Sequence, residues 1–527
     1  MGQAELLIAG LLVSVAGLGA LARIMAVPYP IVLVVGGALL GFIPGMPEIR
    51  LNPNIVLVVF LPLLVYSAAF FANITDIRAN LRSVTLSSVG LVLATMTAVA
   101  IVAHAVIDGI PWAAAFTLGA IVSPTDPLAG AAIMRRLELP RRLVNGIEGE
   151  GLFNDATALV AYKVAIGVVV GGTFSFLDAS LRFLASAAGG IAIGLAVGWV
   201  IAELRARTSD AQTSVVISLF SGYAAFIPAN AVGASGVLAA VTTGLYMGIR
   251  GPSIIPARIR LQGNFMWEIL DFVLNASLFV LVGLQLHGVV NRLGTVPAGS
   301  LVGYAVAVSA AAIVIRLVWF FTVPYLIRLL DRRPSQVARR VGARERLVLA
   351  WAGTRGAVSL AAALALPLTT DAGGPFPSRD LIIFLTYAVI FSTLVIQGLS
   401  LPWLIRVLHI TRGGDEENEE VRARLVATKA ALAELDELER EEWTRDDTIE
   451  RLRAAYQYRK RRFAAQAGKI EDDGYEDRSL AYQQIVQLVL AAQREALVRM
   501  RNSGEISNET MNHVIRDLDL EESRLEI

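Results

Sequence analysis

The sequence predicts an all-α membrane protein, with thirteen membrane-crossing helices followed by a helical, water-facing tail. Three observations carry this. Hydrophobic residues make up 55% of the 527 and charged residues only 17%, against about 25% charged in soluble domains. The apolar residues fall in runs that suit a bilayer, which takes about 20 residues of helix to cross. Charge is also split along the chain. Residues 1–410 hold 27 Lys and Arg against 18 Asp and Glu, whereas residues 411–527 hold 19 against 27. The reading is a basic transmembrane domain, 1–410, and an acidic cytoplasmic tail, 411–527. A soluble enzyme is excluded as the whole chain. Cysteine is absent, which removes disulfides, thiolate metal sites and cysteine nucleophiles. His104, His287, His409 and His513 lie too far apart in sequence to suggest a multi-histidine metal site.

Read against Arg, Pro and Gly breaks, the runs are 4–24, 28–43, 53–72, 84–107, 111–137, 143–171, 180–203, 211–228, 233–249, 265–287, 298–327, 345–368 and 379–409. The first lacks a basic leader and carries Glu5, so it reads as a span and not as a cleavable signal. Assigning alternate loops to two sides puts 20 Lys and Arg on one and 4 (Arg50, Arg182, Arg292 and Arg379) on the other. The richer side faces the cytoplasm, because basic residues are retained there. The N-terminus is then outside and the tail inside.

An ionisable group at membrane depth is expensive and usually marks a pathway or a buried pair. The spans hold Lys163, Arg316, Arg355, Asp126, Glu148, Glu150 and Asp155. Lys163 lies towards the outside and reads as snorkelling.

Asp126 sits in Ser123-Pro124-Thr125-Asp126-Pro127. Pro124 and Pro127 each remove a backbone donor, and a broken helix is tolerated in a bilayer only where it lines a cavity or is buried in protein. Two half-helices with free polar ends are a geometry in which transporters hold ions. The alternative is a kinked structural helix with Asp126 as its cap. Glu150, Asn154 and Asp155 follow in Glu148-Gly149-Glu150-Gly151-Leu152-Phe153-Asn154-Asp155. Glu150 and Asn154 share a helix face and Asp155 lies about 100° round. Asp155 is near mid-span, where a carboxylate can hold a proton and release it to an arriving cation; the alternative is a structural pair with Arg or Lys. Glu150 reads as structural.

Gly353-Thr354-Arg355-Gly356-Ala357-Val358-Ser359 interrupts the twelfth run. If spans 1–6 and 8–13 are inverted repeats, this break and the one at Asp126 correspond, which points to a transporter site. The alternative is a glycine hinge with Arg355 snorkelling. Arg316 lies mid-span with no local acid, so it needs a partner from another helix, Glu150 or Glu148.

Together the three motifs resemble the monovalent cation:proton antiporters, in particular the bacterial sodium/proton antiporter branch related to animal sodium/proton exchangers. The resemblance covers all thirteen spans and extends to Gly504-Glu505-Ile506-Ser507 and Leu518-Asp519-Leu520-Glu521-Glu522 in the tail. It implies a core domain of spans 4–6 and 11–13 with crossed broken helices, a dimer domain of spans 1–3 and 7–10, and a homodimer in the bacterial plasma membrane. It implies that Asp155 binds Na⁺ or the proton, that Asn154 bonds Asp126, that Thr125 supplies oxygen and that Glu150 pairs with Arg316. Two positions depart from the pattern: Ser67 stands where the family usually has an acid near the ion, and Gly151 where it usually has Ser. The implied activity is exchange of Na⁺, with Li⁺ as a further candidate ion, for H⁺ by alternating access, electroneutral because one carboxylate serves both ions. K⁺/H⁺ exchange on the same scaffold and a cation channel with a regulatory tail are the alternatives. The partners are monovalent cations, protons and lipid; no cofactor, nucleic acid or enzymatic activity is expected.

In the tail, Leu425, Leu432, Leu435 and Leu438 form a stripe on a helix over 417–443. Thr444 and Asp447 resemble a capping box before a helix to about 468. Asp472-Asp473-Gly474 and Gly504 break the chain around a helix over 478–502, and Ser507 caps a last helix carrying Met511, Val514, Ile515 and Leu518. The tail reads as a regulatory or dimer-bracing domain, or as a solvated appendage.

Overall fold

The computed structural model describes residues 3–25, 27–44, 56–79, 81–171, 176–291, 293, 296–330, 341–410, 414–468, 470 and 474–523. Residues 53–55 of the third run, Arg50, Arg292, the basic residues of 332–340, Asp472 and Asp473 lie outside these. The chain separates into two compact units, Met1–Arg412 and Gly413–Ile527.

The first unit is helical, and its one β-bridge among the described residues joins Thr369 to Pro375. Besides a short helix at Ile74–Ala79, the helices are α1 (Gln3–Met25) and α2 (Tyr29–Gly41), α3 (Val56–Phe70) and α4 (Leu81–Val106), then α5 (Trp112–Val122), α6 (Pro127–Arg136), α7 (Arg141–Gly171), α8 (Phe176–Ala206), α9 (Ala211–Ala231) and α10 (Gly236–Ile254). There follow α11 (Ala257–Asn291), α12 (Ala298–Leu330), α13 (Ala343–Trp351) and α14 (Ala357–Leu364), and α15 (Arg379–Val407). Each apolar run of the sequence therefore coincides with one helix or, twice, with a broken pair. Among the described residues seven helices are individually long and apolar enough to cross a membrane. The chain is an all-helical, multi-pass membrane protein.

Local chemistry explains the helix starts. Asp210 and Ser235 cap α9 and α10, accepting from Thr213 N at 2.7 Å and Leu238 N at 3.3 Å. Such caps satisfy amides that have no partner in the first turn. Packing rests on small residues, since lipid gives apolar helices no hydrophobic reason to associate. A Cβ on Gly37 would sit 2.5 Å from Val280 O, and one on Gly283 would sit 2.4 Å from Val34 O. The glycine pair thus lets the backbones of α2 and α11 touch. The largest apolar cluster draws Val99, Leu118, Ile121, Val308, Leu385 and Val389 from α4, α5, α12 and α15. It encloses the end of α5, where the chain breaks.

The second unit comprises α16 (Gly414–Leu438), α17 (Asp446–Gln466), α18 (Tyr475–Asn502) and α19 (Asn508–Glu522). Arg453 on α17 pairs with Asp436 and Glu439 at 3.0 and 2.8 Å. Arg494 on α18 pairs with Asp519 and Glu522 at 2.6 and 2.5 Å. Leu425, Leu435, Ile449, Leu490 and Met511 are buried. Ser507 caps α19, accepting from Thr510 N at 3.1 Å. The Thr444–Asp447 capping box does not form. Thr444 Oγ1 turns back to donate to Leu438 O and Glu441 O, and Arg445 occupies the cap position of α17 without a side-chain bond.

Candidate functional site

Two helices break at the same place. α5 stops at Val122 and α6 starts at Pro127; α13 stops at Trp351 and α14 starts at Ala357. The intervening segments are hydrogen-bonded to each other. Asp126 N donates to Thr354 O at 2.7 Å, and Thr354 Oγ1 donates to Asp126 O at 2.8 Å.

Four helix ends meet here, each with unpaired backbone groups. Asp126 serves the N-terminal ends: its Oδ1 accepts from Leu128 N at 2.9 Å. Its Oδ2 lies where a Cβ on Gly356 would approach to 2.0 Å, beside the start of α14. Arg355 serves the C-terminal ends. Its Nε donates to Val122 O at 3.2 Å, Nη1 to Gly353 O at 2.5 Å and Nη2 to Ala312 O at 3.1 Å. At 1% exposure Arg355 does not snorkel; it is buried among carbonyl groups. An anion at N-termini and a cation at C-termini is the favourable arrangement for helix dipoles.

Behind the crossing lies the ion pair of Glu150 on α7 and Arg316 on α12, with side chains 5% and 1% exposed. Arg316 Nη1 donates to Glu150 Oε1, and Nη2 to Oε2 at 3.3 Å. Arg316 also reaches Ala350 O at 3.0 Å and Leu349 O at 3.1 Å, at the end of α13. A Cβ on Gly353 would strike Arg316 Nε at 2.3 Å. Glu148, the other candidate partner, pairs instead with Arg135. Thr125 Oγ1 donates to Glu150 Oε1 at 2.9 Å, which ties the first break to the pair.

Asn154 differs from what the resemblance implies. Its Nδ2 donates to Thr125 O at 3.0 Å and Thr125 Oγ1 at 2.8 Å, not to Asp126. The Asp126 carboxylate is already committed to capping α6. Gly151 faces Pro127, whose Cδ would lie 2.7 Å from an added Cβ. The close approach of α6 therefore explains why no larger residue stands there.

A cavity of about 660 Å³ opens beside the crossing, with Pro124, Asp126, Asp155, Gly356 and Ser67 in its wall. Among the described residues the Asp155 carboxylate has no hydrogen-bond or ion-pair partner, so no Arg or Lys fixes it in place. Nor, among these residues, do three His, Asp or Glu side chains come close enough to ligate one metal ion. Any ion at Asp155 must find its other oxygens among hydroxyls, carbonyls and water. Lys163 is exposed, away from this centre. The wall also contains Glu268 and Asp271 of α11, acids within the tenth apolar run that the sequence reading passed over. Ser67 Oγ donates to Asp271 Oδ2 at 2.5 Å.

Crossed half-helices with a carboxylate at a cavity beside them are a geometry in which secondary transporters hold ions. The comparisons identify the family. Residues 10–407 match the family described as sodium/hydrogen exchanger, transmembrane. The chain is 36% identical over 502 residues to a protein of Mycobacterium bovis described as an uncharacterized Na⁺/H⁺ exchanger, covering 94% of this chain and 91% of that one. It is 29% identical to the sodium, potassium, lithium and rubidium/H⁺ antiporter of Bacillus subtilis, covering 92% and 72%. Its fold matches the sodium proton antiporter MjNhaP1 of Methanocaldococcus jannaschii with a TM-score of 0.59 at 17% identity, covering 77% of this chain and all of that one. The protein belongs to the sodium/hydrogen exchanger family: a transporter of monovalent cations and protons, not an enzyme.

Proposed function

We propose that the protein exchanges Na⁺ for H⁺ across the bacterial plasma membrane, with Asp155 as the shared site. The observation that carries this is the Asp155 carboxylate, without a partner among the described residues, in the cavity at the helix crossing. A charge there is costly unless neutralised, and a proton and a desolvated cation each neutralise it. The two ions therefore compete, and only the neutralised site crosses between the two sides. Asp126 is held by its capping role, so one carboxylate moves one Na⁺ one way and one H⁺ the other, without net charge. Asn154 and Thr125 fix the wall around the site, while Glu150 and Arg316 brace it.

In this reading all thirteen apolar segments cross the membrane, the two broken pairs α5–α6 and α13–α14 occupy corresponding places in inverted repeats, and the N-terminus faces outside with the tail in the cytoplasm. Spans 4–6 and 11–13 form the moving core; spans 1–3 and 7–10 form the dimer contact. K⁺/H⁺ exchange is the second reading, favoured by the breadth of cations in the name of the Bacillus subtilis relative.

The test is exchange in proteoliposomes with Na⁺, Li⁺ and K⁺ across a pH range. Asp155→Asn keeps the side chain's shape and removes its charge. Cation-driven proton movement should vanish while the folded protein survives; retained exchange by this variant defeats the assignment. With the voltage clamped by valinomycin and K⁺, once K⁺ is shown not to be transported, an imposed potential should drive no Na⁺ uptake.

A further inference from the structure

The sequence lacks the acid usual on the third span, Ser67 taking its place, yet the structure supplies one beside Ser67 from α11. Asp271 Oδ2 accepts from Ser67 Oγ at 2.5 Å, and Ser67 itself is fully buried on α3. The other oxygen, Asp271 Oδ1, is buried and has no hydrogen-bond partner among the described residues. Among the described residues no basic side chain pairs with Asp271. Arg135, which also lines the cavity, is engaged by Glu148, and Asn275 Nδ2 is spent on the Asp271 backbone carbonyl at 2.9 Å. A carboxylate kept for structure alone would be expected to have both oxygens bonded. Asp271, Asp155 and Asp126 share one cavity, and among the described residues no three acids close on a single ion. Asp271 enters the same space as Asp155 from a different helix, α11 against α7.

We propose that Asp271, oriented by Ser67, is an outer station where a monovalent cation sheds part of its water before passing to Asp155. The proposal rests on the reading of Asp155 as the transport site. A compact hard cation is suited by oxygen donors; Asp271 supplies its enclosed, unbonded Oδ1, while Ser67 Oγ holds the carboxylate's other oxygen. Its role is to gather cations, which sets the concentration dependence of transport and leaves the maximal rate to Asp155.

The experiment measures Na⁺-driven proton exchange by the full-length protein in proteoliposomes. Removing a unit charge near the cation's path should raise the half-saturating Na⁺ of Asp271→Asn about tenfold, with the maximal rate retained. An unchanged half-saturating Na⁺ overturns the proposal. So does loss of the maximal rate in folded protein, since that would place Asp271 within the Asp155 site itself. Should Asp271→Asn fail to fold, the reciprocal exchange Ser67→Asp with Asp271→Ser decides. It returns a carboxylate to the same hydrogen-bonded pair from the α3 side and should restore wild-type half-saturation, and a folded double variant that stays tenfold weaker defeats the station. Asp155→Asn, run alongside, reports separately: exchange surviving in that variant sinks the transport-site reading and not merely the station.

Discussion

The Glu150–Arg316 pair offers the sharpest test of how the crossing is held. Both side chains are almost wholly enclosed, so removing either leaves a charge that water cannot reach. Breaking such a pair costs about 3–5 kcal/mol. Arg316→Ala should fall at the upper end, because it also strips Ala350 O and Leu349 O of donors and vacates the face of Phe320, over which the guanidinium sits at 5.0 Å. Glu150→Gln should fall at the lower end, because the amide oxygen can still accept from Thr125. With an unfolding entropy of about 2.1 cal/mol/K per residue over the 412 residues of the membrane unit, the loss corresponds to a fall in Tm of about 3–6 °C. Combining Glu150→Gln with Arg316→Ala leaves no orphan charge. The double variant should be less destabilised than the two singles added, with a coupling of about 2 kcal/mol. Thermal unfolding of the detergent-solubilised protein, followed by tryptophan fluorescence, reads all four species. Strict additivity would refute the partnership. Complete loss of exchange by Glu150→Gln at unchanged Tm would make Glu150 an ion-carrying residue instead of a brace.

Three further outcomes follow from contacts at the crossing and in the tail. Gly356→Ala forces a Cβ towards Asp126 Oδ2; uncapping of α6 should reduce exchange in proteoliposomes well below wild type, and an unimpaired variant would show that the carboxylate can swing away freely. Gly151→Ser restores the residue usual in the family but collides with the Pro127 ring, so it should lower stability by about 1–3 kcal/mol, checked by thermal unfolding. In the tail, hydrogen bonds and charge from Arg453 hold the Glu439 carboxyl below its ordinary range. Its contribution is thus present above the ordinary carboxylate value and lost as pH falls through the lower native one; hydrogen exchange across α16 and α17 should follow that course, and Arg453→Gln should shift the loss to higher pH.

The helices were legible because a bilayer forces apolar residues into long runs and permits breaks only where the polar backbone is sheltered. Pro124 and Pro127 advertised one break, Gly353 and Gly356 the other. Glu150 and Arg316 could be matched because each was a lone charge in an apolar run and so needed a partner. Asp271 was missed for the opposite reason. It lies in a run whose hydropathy is high enough to mask it, although Glu268, Asp271 and Asn275 at spacings of three and four already marked a polar face. The partner of Asn154 could not be read at all, because it depends on whether Asp126 is free. Thr444 had the right residue type for a cap, but the preceding helix ends at Leu438 with carbonyls that claim its hydroxyl. Sequence spacing describes competition along one helix and not competition between neighbours.

That competition also decides which acid can carry an ion. Asp126 and Asp155 line the same cavity, and composition alone gives them equal standing. Asp126 lies between two helix N-termini and accepts a backbone amide, so its charge is tied to the breaks in α5–α6 and α13–α14. Releasing it would leave the start of α6 uncapped. Arg355 balances it at the opposite ends, bonded to carbonyls of three separate segments, so the crossing is electrostatically complete before any ion arrives. Asp155 lies outside that account. It sits one residue beyond Asn154, whose amide is anchored on Thr125, and it projects from an unbroken turn of α7 that needs no cap. Among the described residues its charge, unlike that of Asp126, is not used by the helix breaks, and in the proposed exchange a cation or a proton balances it without disturbing the helices that hold it.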